Sequence, residues 1–84
     1  MPVYVIRYDT WTVEKVDSND IRHPEFLTEL DAEETIEKEL SEIHWNFFEN
    51  MHRFHGSPID CLKHLYACRD RIQKLKQQSG NLQK

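Results

Sequence analysis

The stretch Gly56-Ser57-Pro58-Ile59-Asp60 limits what this chain can fold into more than any other. Glycine suits the residue just past a helix, because it takes positive φ without a Cβ clash. Serine caps a following helix by accepting from its first free amides. Proline fits the first helical position, where its missing N–H costs nothing. Asp60 then sets a carboxylate near the positive end of the helix dipole. These residues predict one helix ending near His55 and another starting at Pro58. So short a link makes the two helices antiparallel neighbours.

Both flanks carry the matching apolar period. Ile36, Leu40, Ile43, Phe47, Met51 and Phe54 recur at steps of four, three, four, four and three. Cys61, Leu65, Cys68, Ile72 and Leu75 recur at four, three, four and three. At about 100° per residue each set stays within one stripe, the seam of two helices packed at a shallow angle. Asp31, with Glu34 three residues on, reads as a capping box at the start of the first helix. The expected helices are 31–55 and 58–78, with Ser79-Gly80-Asn81 ending the second and 79–84 a frayed tail.

Ahead of the hairpin, Val3 to Tyr8 (VYVIRY) and Trp11 to Val16 (WTVEKV) read as two strands, with Asp9-Thr10 as the turn. A lone two-stranded ribbon is barely stable in water. The 3–16 ribbon must therefore pack on the helices, gain a third strand from residues 21–30, or pair with another chain at its edge. Residues 17–30 form a connector: Asp17-Ser18-Asn19-Asp20 is a loop by composition, and Pro24 biases His23 away from helical angles. The expected fold is α+β, one domain over 1–84, with a short N-terminal β-ribbon followed by a long antiparallel αα-hairpin.

Charge is unevenly spread. Residues 1–42 hold twelve acids against four bases, and residues 43–84 hold three against seven. An antiparallel pair sets the acidic helix beside the basic one. The acids Glu25, Glu29, Asp31, Glu33, Glu34, Glu37, Glu39 and Glu42 form either a solvated face or a mimic of a phosphate backbone. The basic residues of the second helix are scattered around it, and the net charge is −4, so direct nucleic-acid binding is not expected. Mean hydropathy is −0.78, and no apolar run approaches the ~20 residues a bilayer span needs. The first residues lack the pattern of a signal peptide, which makes the cytoplasm the expected location.

One surface stands out. His44, Trp45, Phe48, His52 and His55 fall off the seam stripe, on a helix face that is ordinarily charged. Either the ribbon covers it, through Tyr4, Ile6, Trp11 and Val13, or a partner does. Aromatic side chains dominate interface energetics. The expected partner-binding residues are therefore His44, Trp45, Phe48, His52 and His55, with Glu33, Glu34 and Glu37 from the acidic stretch. The expected occupant is a protein, with self-association of this chain.

Metal and catalytic readings are weaker. His52-x-x-His55 followed by Cys61-x-x-His64 has zinc-like spacing, yet only His55, Cys61 and His64 could converge. Cys61 and Cys68 point into the seam, about two turns or ~10 Å apart, too far to bridge. They read as reduced thiols filling apolar space. A Cys61–His64 nucleophile lacks an orienting third group and an oxyanion turn. No metal, cofactor or enzymatic activity is expected.

The layout, VYVIRYDTWTVEKV ahead of an acidic helix start and two helices, resembles small accessory proteins of tailed bacteriophages and prophages. That resemblance is one of general plan. It implies a compact, non-enzymatic protein that binds and modulates a host or phage macromolecule, and it carries over no functional residue.

Overall fold

Two reciprocal hydrogen bonds open the C-terminal helix. The Asp60 amide donates to Ser57 Oγ at 3.2 Å, and the Ser57 amide donates to Asp60 Oδ2 at 3.0 Å. The computed structural model describes residues 2–17 and 24–82, the last four by backbone alone. Within them the elements are β1 (Pro2–Arg7), β2 (Thr12–Asp17), α1 (Glu29–Trp45), α2 (Phe47–Asn50), a 3-10 turn (Met51–Arg53) and α3 (Pro58–Leu82). The architecture is α+β, as the sequence indicates. Gly56 has φ +139°, and a Cβ there would lie 3.0 Å from both the Phe54 ring and the Asp60 carboxylate, so any side chain at the joint is strained and crowded.

α1 and α3 pack along the expected seam. Ile36, Leu40, Ile43, Cys61 and Cys68 are fully buried, and Leu65 nearly so. Cross-seam contacts fix the sense: Cys61 meets Leu40, and Cys68 meets Glu33, so numbers rise on one helix as they fall on the other. Each buried aliphatic chain contributes about 1.5–3 kcal/mol. The exposed cross-seam pairs Glu37–Arg69 (3.8 Å) and Glu34–Lys76 (3.7 Å) add roughly 0–1 kcal/mol each, so the seam is held by apolar burial.

Three boundaries differ from the sequence expectation. α1 starts at Glu29 because Thr28 caps it, its hydroxyl accepting from the Asp31 amide at 3.1 Å. Asp31 is thus inside the first turn and is not the cap. α1 then stops at Trp45 and does not run to His55. Asn46, with φ −139° and ψ 77°, leaves the helix, and its side-chain oxygen accepts from the Glu49 amide at 3.5 Å. Asparagine competes well for such backbone bonds, which is why it breaks a run that apolar period alone would continue. The break rephases the chain: Met51 is exposed, Phe47 half-buried, and Phe54 reaches the core from extended backbone. At the other end α3 continues through Ser79, Gly80 and Asn81 to Leu82, so those residues do not end it. Residues 83–84 of the expected tail lie outside the described residues.

The ribbon is antiparallel, in register from Pro2↔Asp17 to Arg7↔Thr12, extending one residue past each end of the expected 3–16. Its loop is the four residues Tyr8 to Trp11, longer than Asp9-Thr10, and Trp11 belongs to the loop rather than to β2. Trp11 takes φ 56°, a left-handed conformation that costs a non-glycine residue about 1–2 kcal/mol. Burial of its indole, stacked on Phe54 at 6.1 Å, offsets that cost. Ile6 joins Trp11 in the core, with Tyr4, Val13 and Phe26 packed against it. Tyr4 and Phe26 exchange backbone hydrogen bonds of 2.9 and 2.8 Å. This single bridge stands where a third strand was one option. Of the 17–30 connector, residues 18–23, and with them the Pro24 effect on His23, lie outside the described residues.

Candidate interaction surface

The ribbon lies against one flank of the helix pair. Trp11 stacks on Phe54 and accepts from Arg71 Nη2 through its carbonyl at 3.3 Å, and the Tyr8 hydroxyl donates to Glu39 Oε1 at 3.4 Å. Helical spacing sets Tyr66 about 140° from Arg71, and Trp45 about 120° from Glu39. The opposite flank is therefore bare. Trp45 is 90% exposed and Phe48 is 86% exposed. The ribbon residues named for covering this face do pack on helices, but on the other side.

Between α1 and α3 on the bare flank lies a groove of about 280 Å³, lined by Trp45, His44, Leu62, Leu65, Tyr66 and Arg69 among others. A second, shallower hollow on the far side of Trp45 is lined by Glu42, Asn46, Glu49 and Asn50. Trp45 borders both.

The α3 wall was not anticipated. Leu62 and Tyr66 line the groove, and with Ile59, which is exposed but lines neither hollow, they sit at steps of three and four, a second stripe beside the seam. That period was present in the sequence but was hidden by the stronger Cys61–Leu75 stripe.

Of the expected binding residues, the structure brings together His44 and Trp45. Phe48 is exposed on α2 but lines neither hollow. His52 and His55 are exposed in the turn segment and line neither hollow. The acidic members fare differently. Glu33 is only 2% exposed, so it is not a surface residue: Arg71 Nε donates to it at 2.6 Å, and the Cys68 thiol contacts it at 3.5 Å. A buried carboxylate persists only when so paired. Glu37 and Glu34 are engaged by Arg69 and Lys76, and Glu42 by Arg53 at 3.7 Å. The acid run is thus partly neutralised within the fold.

His55, Cys61 and His64 do not converge. His55 is exposed, His64 packs edge-on against Phe54 at 5.8 Å, and the buried Cys61 thiol points to the Leu40 carbonyl at 3.7 Å. Burial pushes the Cys61 thiol up, away from the thiolate a metal or a nucleophile needs. Among the described residues no group of three or more His, Cys, Asp or Glu is placed to hold a metal ion. Among them, too, no helix is long and apolar enough to cross a membrane. No protein-family model, curated protein or solved structure matches the chain.

Proposed function

We propose that this chain is a non-catalytic protein-binding module that docks its partner on the Trp45 flank. The observation that carries the reading is the indole of Trp45, 90% exposed at the lip of a groove walled by Leu62, Leu65 and Tyr66. A small domain gains nothing by holding a tryptophan in water, and contiguous exposed apolar surface marks interaction sites. Truncating such an anchor at an interface typically costs about 2 kcal/mol or more of binding. The rest of the fold fits a binding role: both thiols are buried within the seam, and neither faces the groove solvent. The resemblance in layout to phage accessory proteins points to a phage or host macromolecule as the partner.

The test uses the full chain as bait in bacterial lysate, beside a Trp45→Ala/Tyr66→Ala variant. Both substituted residues are exposed, so the variant is expected to melt like the wild type. The expected result is a protein retained by the wild type, lost with the variant, and bound again when purified. Equal retention by both baits contradicts the reading.

A further inference from the structure

We draw no further inference here: the strongest candidate, the open groove between α1 and α3 beside Trp45, belongs to the docking surface already described, and nothing in the structure shows what covers it.

Discussion

Arg71 Nε lies 2.6 Å from Glu33 Oε2, and the same guanidinium donates to the Trp11 carbonyl at 3.3 Å. One side chain thereby ties α3 to α1 and both to the ribbon loop. Glu33 is 2% exposed, so removing its partner strands a charge in the interior. Breaking a buried pair from one side costs about 3–5 kcal/mol, whereas neutralising both sides costs far less. Because Arg71 itself is partly exposed, the lower end applies. Arg71→Ala is expected to lose about 3 kcal/mol in urea unfolding, and Arg71→Ala/Glu33→Gln to recover more than half of that. A double variant no better than the single shows that the pair is not what holds the loop.

Cys68 responds to alkali. Burial, reinforced by the Glu33 carboxylate at 3.5 Å, pushes its thiol up to about 12. The unfolded thiol ionises near ~8.5. The folded state therefore holds a proton that the unfolded state releases, and stability falls as pH rises from ~8.5 toward 12. Cys68→Ala removes this thiol's share of the slope. Native alkylation of Cys68 at pH 8 is expected to track global unfolding; rapid labelling without unfolding contradicts its placement in the seam.

At the joint, the Ser57 amide and hydroxyl donate to Asp60 and hold its carboxyl below the usual range. The fold thus favours the ionised form. That contribution is complete above the unfolded value near ~4 and is lost as pH falls through the lower folded one. Asp60→Asn is expected to flatten the acid limb of the stability curve. Ser57→Ala is expected to cost about 1 kcal/mol at neutral pH, as lost helix caps do. Thermal melts across pH 2–7 check both.

The two tryptophans are expected to behave oppositely. Trp11 is buried and stacked on Phe54, so Trp11→Ala is expected to cost about 3–5 kcal/mol. Trp45→Ala is expected to stay within about 0.5 kcal/mol of wild type, as exposed substitutions do. Equal costs in denaturant unfolding contradict the assignment of inside and outside.

The seam and the joint were legible because each rests on local chemistry. Gly56-Ser57-Pro58 determines a backbone, and the Ile36–Leu40–Ile43 and Cys61–Leu65–Cys68 stripes answer each other across it. The break at Asn46 was not legible, since Phe47, Met51 and Phe54 continue the helical period on paper. The helix ends where the Asn46 side chain takes the Glu49 amide, a local competition that the apolar period does not register. Glu33 was misread for a related reason. Within a run of acids nothing marks the one that turns inward, because its partner Arg71 comes 38 residues later. The groove was half visible: Trp45 was placed on a face left to either the ribbon or a partner, while the contribution of Leu62 and Tyr66 went unseen behind a stronger stripe.

The central claim is that Trp11 belongs to the interior while Trp45 waits in solvent for a partner. Labelling both with 5-fluorotryptophan and comparing 19F shifts in H2O and D2O tests it most directly. In dilute protein, Trp45 is expected to show the full solvent isotope shift and Trp11 none. Adding the captured partner is expected to abolish the Trp45 shift. A Trp45 resonance already shielded in the dilute monomer, or one that stays open to solvent under every condition, contradicts the account.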